Sequence, residues 1–387
     1  MIKMINAYTT EIDDVNAALA EILEKLDSNG LLKNSVGLLT CYNEFIETNI
    51  VEDLCQRLPF DVIGCTTLAN ALSAEHGMYM LQLAVFTSDD VSFSTALSKP
   101  LSLDNYGDEI KIAYDEARSA LPGDPSFIIS FFPFLPELSG AYLLESFDRA
   151  CGGAPIFGMV ASDTTMAIEN AKVIYNGKSE KCSAVMLLLH GDNINPQFIK
   201  TSLPERNIRK QKAIITESDG CILKRVNDMP LTDYLNGVGI KLVEDIAANA
   251  LVIPLMVDYG NGEESVAVAV YHIGEDGTAV CGAEVPCGAS FSIGEIDRNG
   301  IIETALATLE KVLEGEYADC LVMFPCITRY HMLSPNYEDE IKTVKGLMED
   351  KMPFALAYAG GEICPVYDET GKTHNRFHNY TFIACIF

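Results

Sequence analysis

The chain is poor in positive charge. Its 387 residues hold 27 Lys and Arg against 55 Asp and Glu, a formal net charge of −28. Such a field repels phosphate backbones and anionic lipid, so nucleic acid and membrane surfaces are excluded as partners, and cationic or zwitterionic molecules are favoured. Long hydrophobic runs are missing as well. No stretch reaches the roughly 18 apolar residues that a membrane span needs. The longest, 127–135 and 184–189, are of strand length. The N-terminus has no basic segment followed by an apolar one and turns acidic at Glu11, so no signal peptide is expected. The twelve cysteines include no CxxC pair and sit mostly inside apolar runs, as at Cys41, Cys65, Cys182, Cys320 and Cys385. That argues against a disulfide framework and predicts reduced, buried thiols in a cytoplasmic protein.

What is present suits a folded core. Apolar residues make up 48% and charged residues 21%, which excludes a disordered chain. Ile12, Val15, Leu19, Ile22 and Leu26 recur at spacings of three and four and predict a helix over 11–26 packed on the body. Strand and helix periods then alternate irregularly, and adjacent strands often lack an intervening helix. A mixed α+β fold follows, with largely antiparallel mixed sheets and helices packed outside, rather than a purely doubly wound α/β sheet.

The order of elements repeats. In one half a strand ending Phe132–Pro133, a helix and a strand entered at Pro155 lead to Ser162–Asp163. In the other a strand ending Phe324–Pro325, a helix and a strand entered at Pro353 lead to Gly361–Glu362. Each closes on an apolar strand, CSAVMLLLH or NYTFIACIF. This predicts a distant duplication with two pseudo-equivalent halves. The polar stretch 202–209 divides them into 1–205 and 206–387. Runs such as FIISFFPF are apolar on both faces and predict sheets covered on both sides.

The polar residues at strand ends are the candidate site. Gly64, Cys65, Thr66 and Thr67 end one strand with small donors, and Ser162 and Asp163 end another. A tight turn and a helix cap are the plain alternatives for these two groups. Arg329 follows an apolar strand and can clamp a carboxylate, although in so acidic a chain a structural ion pair competes with that role. Gly361 and Glu362 bring a carboxylate after two glycines, and His378 and Asn379 open the last strand.

These segments also carry a family resemblance. GCTT at 64–67, FGMVASD at 157–163, PCITR at 325–329, GGE at 360–362 and FHNYT at 377–381 fall in the order of FIST proteins, and the chain resembles that family from about Leu31 onward. FIST-N and FIST-C regions occur together in sensory and signal-transduction proteins. The resemblance implies a module that binds a small polar metabolite, with amino acids among the candidates; the residues themselves form no convincing catalytic constellation, so an enzyme is not expected. FIST regions are often fused to output domains. No residues remain here for a kinase, a methyl-accepting segment or an F-box, so a separate signalling partner protein is expected.

In this reading the pocket lies between the halves, Arg329 holding a ligand carboxylate and Glu362 or Asp163 its ammonium group. Two alternatives stand beside it. Cys65 or Cys326 with His378 as base and Glu362 as orienter would make a thiol hydrolase or transferase. A His or Cys ligating haem would make a gas sensor. Metal binding draws little support: His374 and His378 sit in a loop or strand, and the spacings of Cys281 with Cys287 and Cys320 with Cys326 match no zinc signature. Exposed strand edges are compatible with a homodimer.

Overall fold

The computed structural model describes residues 2–27, 30–165, 168–192, 194–241, 253–315 and 319–387, and in them one order of elements occurs three times. The first segment runs β1 (Lys3–Thr9), α1 (Val15–Asp27), β2 (Asn34–Cys41), α2 (Glu44–Glu47), α3 (Ile50–Arg57), β3 (Val62–Thr66), a hairpin of β4 (Asn70–Leu72) and β5 (His76–Gly77), and β6 (Leu81–Ser88). The second runs β7 (Ser92–Leu97), α4 (Tyr106–Ser119), β8 (Phe127–Phe132), α5 (Gly140–Cys151), β9 (Ile156–Val160), a hairpin of β10 (Val173–Tyr175) and β11 (Lys178–Glu180), and β12 (Val185–His190).

The third begins with β13 (Gln197–Thr201) and is interrupted by an insertion. The insertion holds β14 (Ile208–Asp219), β15 (Ile222–Val226), α6 (Leu231–Gly237), β16 (Leu255–Asp258), β17 (Val266–Val268), β18 (Val270–Ile273), β19 (Ala279–Cys281) and β20 (Ser290–Gly294). The third segment then resumes with α7 (Arg298–Glu314), β21 (Leu321–Pro325), α8 (Ile327–Met332), α9 (Asp339–Met348), β22 (Phe354–Ala357), a hairpin of β23 (Glu362–Tyr367) and β24 (Thr373–His378), and β25 (Phe382–Ile386).

Each segment builds a six-stranded sheet on one plan. The orders are β1-β6-β2-β3-β10-β11, β7-β12-β8-β9-β23-β24 and β13-β25-β21-β22-β4-β5. In each, one central pair is parallel (β2 with β3, β8 with β9, β21 with β22) and the neighbours are antiparallel. The last two strands of every sheet come from another segment. The hairpin of the first completes the third sheet, that of the second completes the first, and that of the third completes the second. The insertion forms its own seven-stranded sheet, β17-β16-β20-β14-β15-β19-β18.

Alternation along the strands explains the two-faced apolar runs. Ile129, Phe131, Phe157 and Leu187 turn to a central core shared with Ile63 and Phe86 of the first sheet and Phe324 and Ile383 of the third. Their neighbours Ile128, Phe132, Ile156 and Leu188 turn outward, into a second core with α4, α5 and the inserted sheet. The first sheet is covered by α1, whose Leu19, Ile22 and Leu26 are buried while Ile12 and Val15 pack partly exposed at its edge. The helices therefore lie outside mixed sheets, as the sequence predicts.

The correspondence read from the sequence holds between the second and third segments: Phe132–Pro133 matches Phe324–Pro325, and Pro155 matches Pro353. The structure adds residues 3–88 as a third copy, which includes the unexpected strand β1. The stretch 202–209 spans the end of β13 to the start of β14, where the insertion enters. The apolar run 251–257 reads as a strand in the sequence, and it is seen from Leu255, residues 251 and 252 lying outside the described ones.

In two segments the parallel neighbour is glycine because the strands leave no room. A Cβ on Gly64 would lie 1.7 Å from the Leu39 carbonyl oxygen, and one on Gly158 would lie 2.0 Å from that of Ser130. Gly158→Ala is expected to destabilise the chain by on the order of 3 kcal/mol, the upper end of overpacking costs. Urea denaturation checks this, and a midpoint equal to wild type would show that the sheet yields.

Candidate ligand-binding cavity

The ends of β3, β9 and β22 converge, and this convergence explains the first group of candidates. Ser162 N donates to Thr66 O at 3.1 Å. Thr67 Oγ1 and Ser162 Oγ both donate to Tyr358 O, at 2.8 and 2.7 Å. Ser162 Oγ also accepts from Leu68 N. Thr66 N and Thr67 N go to Lys172 O and Cys41 O. Thr66, Thr67 and Ser162 are thus brought together, but they satisfy one another and the backbone rather than facing a ligand. Gly64 and Cys65 lie inside β3, and burial pushes the Cys65 thiol far up, the reverse of an activated nucleophile. Asp163 caps its own loop, accepting from Thr165 N, Thr165 Oγ1 and Asn170 N.

Arg329 does not hold a ligand carboxylate. It is 1% exposed, and its Nε and Nη2 reach Glu340 Oε1 at 2.9 and 2.5 Å. Nη2 also donates to Ile301 O and Thr304 Oγ1, and Nη1 donates to Tyr380 O. Glu340 Oε2 accepts from the Tyr358 hydroxyl at 2.9 Å. A buried guanidinium needs such a saturated shell, because removing charge from water costs far more than one contact returns. The structural ion pair therefore prevails over the clamp.

Glu362 is equally buried. Its Oε2 accepts from Thr381 N at 3.0 Å and Thr381 Oγ1 at 2.7 Å, while Oε1 has no partner among the described residues. Burial pushes its carboxyl up to about 8, against the pull of Thr381, the Cys326 thiol and Arg329. Gly361 sits beneath the Phe377 ring, 2.4 Å from where a Cβ would stand. His378 faces Glu362 across the β23–β24 ladder, yet its Nε2 turns to Cys364 O at 3.2 Å and burial holds the ring neutral. Cys326, beside Glu362, is raised by burial. Among the described residues His378 makes no hydrogen bond to Cys326 or Glu362, so the three do not form a relay. His374, the other half of the suspected metal pair, bonds Asp368. Asn379 is a clasp: its N donates to Ala267 O, its Oδ1 accepts from Ala269 N and its Nδ2 donates to the Tyr271 hydroxyl at 3.1 Å.

Open space lies beside these groups. A cavity of about 330 Å³ is walled by 133–140, by Cys221, Ile222, Tyr271, Val280 and Cys281 of the inserted sheet, and by Gly360 and Phe377. It sits where the second segment, the hairpin of the third and the insertion meet. Its volume falls within the range of small-molecule sites. The walls are mostly apolar and aromatic. Glu137 is the one charged residue among them, and the polar points are the hydroxyls of Ser139, Tyr142 and Tyr271. Sequence reasoning missed these residues. The available signal was the segment FPFLPELSG, whose two prolines mark a loop and turn between β8 and α5.

The FIST N domain matches residues 35–229 and the FIST C domain residues 231–365. The chain belongs to the FIST family, a sensory signal-transduction family. No curated protein matches it. Among solved structures, cyanuric acid hydrolase from A. caulinodans is 11% identical, with a TM-score of 0.38, 100% of this chain and 99% of that chain being covered. A second cyanuric acid hydrolase structure, described as an evolutionary innovation by structural concatenation, is 9% identical with a TM-score of 0.35, covering 100% and 98%. Likeness at this level carries no inference about activity. No described helix is long and apolar enough to cross a membrane.

Removing one partner of the Arg329–Glu340 pair leaves a buried charge unpaired, so Glu340→Ala is expected to cost about 3–5 kcal/mol in urea denaturation. A loss under 1 kcal/mol would show the pair to be dispensable.

Glu362 gives a pH signature. Its folded-state value lies above the ordinary 4.5, so the stability it contributes is complete below pH 4.5 and is lost as pH rises through about 8. Glu362→Gln lacks this slope and should gain on wild type between those limits. Urea midpoints of both proteins at pH 5, 7 and 9 check this, and parallel curves would refute it.

Proposed function

We propose that the chain senses a small molecule bound reversibly in the 330 Å³ cavity, and that a separate signalling protein reads the bound state. The observation that carries this reading is the cavity's position at the meeting of two segments and the insertion, in a family whose role is sensory. Apolar walls call for a ligand with an apolar body. A single carboxylate at the wall and no lining cation favour a neutral or cationic molecule over an anion. An amino-acid ligand loses its expected holder, because Arg329 is already paired with Glu340. Tyr271 links the wall to the interior: its hydroxyl accepts from Asn379, whose backbone joins the inserted sheet. A ligand that shifts Tyr271 acts on that clasp.

A thermal-shift comparison of indole, phenethylamine and phenylalanine tests this. At about a hundred times Kd a ligand adds about 2.7 kcal/mol, readable as a rise of a few degrees in Tm. Indole or phenethylamine should stabilise more than phenylalanine. Val280→Trp, which fills the cavity rim, should remove the shift while leaving the unliganded Tm near wild type. A shift that persists in Val280→Trp would place binding elsewhere.

A further inference from the structure

Cys221 and Cys281 both line the cavity, and both are free thiols. In the antiparallel pair β15–β19, Ile222 lies opposite Val280 and Leu223 opposite Ala279. One step along the same register sets Cys221 opposite Cys281, and Cys281 N donates to Cys221 O at 2.8 Å. Residues opposite each other on antiparallel strands point to one face with Cα atoms about 5.5 Å apart where they are hydrogen-bonded. A disulfide spans Cα separations of about 4.4–6.8 Å. The other ladder cysteines face different residues: Cys41 faces Thr66 and Leu81, Cys65 faces Thr40 and Val173, Cys364 faces Arg376, and Cys385 faces Val322 and Phe198. Among the described strand pairs, Cys221 and Cys281 alone are cysteines across from each other, and the cavity gives a small reagent a way to them.

We propose that Cys221 and Cys281 are a modification site, a thiol pair that a small hydroperoxide entering the cavity converts to a disulfide. The sulfur of Cys221 attacks the peroxide, its O–O bond breaks and an S–O bond forms. The thiol proton leaves with the second oxygen as water or an alcohol. The sulfur of Cys281 then displaces hydroxide from the Cys221 sulfenic acid. The S–S bond forms, and that hydroxide takes the Cys281 proton and leaves as water. Two thiols lose two electrons and the peroxide gains them. Cys221 reacts first. Burial pushes it up to about 11, less far than Cys281; the side chains of Ser139 and Tyr142 ease it, and Glu284 and Glu145 oppose. The reaction is accordingly slow and answers to sustained oxidant. It needs the cavity's geometry and no occupant, so it stands apart from the identity of any ligand.

The whole chain is exposed to hydrogen peroxide, alkylated and mapped by mass spectrometry without reduction. The expected result is a Cys221–Cys281 cross-linked peptide as the dominant intramolecular product, with two of the twelve thiols lost. In Cys281→Ser the bridge disappears and dimedone labels Cys221. Reduced Cys221 and Cys281 after the exposed Cys182 and Cys287 have oxidised would overturn the proposal, as would a bridge from Cys221 to any other cysteine. A variant that fails to fold leaves the wild-type map to decide.

Discussion

A strand at the margin of a sheet carries a row of unpaired N–H and C=O groups, and burying that row without a partner is prohibitive. The structure rests on how β3, β9 and β22 meet this constraint. Each stands beside its parallel neighbour with its far side open, and each is closed by a hairpin lent from a different segment. The loans run in a ring: first to third, second to first, third to second. No segment completes its own sheet, so none is a sufficient folding unit. The pairings join residues far apart in sequence, as where Ala71 meets Leu356, and such contacts form late because loop closure precedes their gain.

Part of this was legible in the residues. The second and third segments share the Phe-Pro strand end and the proline entry to the next strand, so their likeness could be read. The first ends the matching strand at Cys41–Tyr42 and has Asp61 directly before the next strand, its Pro59 lying two residues earlier than in the other copies, so the third copy went unseen. Period-two alternation says which face a residue takes but not which strand lies alongside it, so the exchange of hairpins left no local trace.

The same limit applied to the site. Thr66, Thr67 and Ser162 could be picked out as polar strand ends that belong together, and they do meet. Their donors are spent on Tyr358 and each other, a pairing that depends on the ring of segments and on no single one. For Arg329 the acidic composition was the better guide, since a buried guanidinium among many carboxylates finds one, and it finds Glu340. The cavity was the least legible feature. Its walls come from stretches scattered between Pro133 and Phe377, and most of their residues are apolar.

The cavity's position follows from where the repeat is broken. In the first segment only 42–43 separate the central strand from its helix, and in the third only Cys326 does. The second spends 133–139 on the same connection, with Pro136 in a turn closed by Leu138 N on Leu135 O. Where β3, β9 and β22 converge, the donors of Thr66, Thr67 and Ser162 are spent on neighbouring segments. Beside β8 the longer loop packs against the insertion, which has no equivalent in the other segments, with Ser139 Oγ donating to Gly282 O, and the cavity lies between the two. Near-repetition supplies the frame, and two departures from it, the longer connection and the insertion, wall this cavity. A wall shared by the second segment, the hairpin of the third and the insertion is one whose occupancy bears on all three bodies at once, which a pocket inside a single segment would not do.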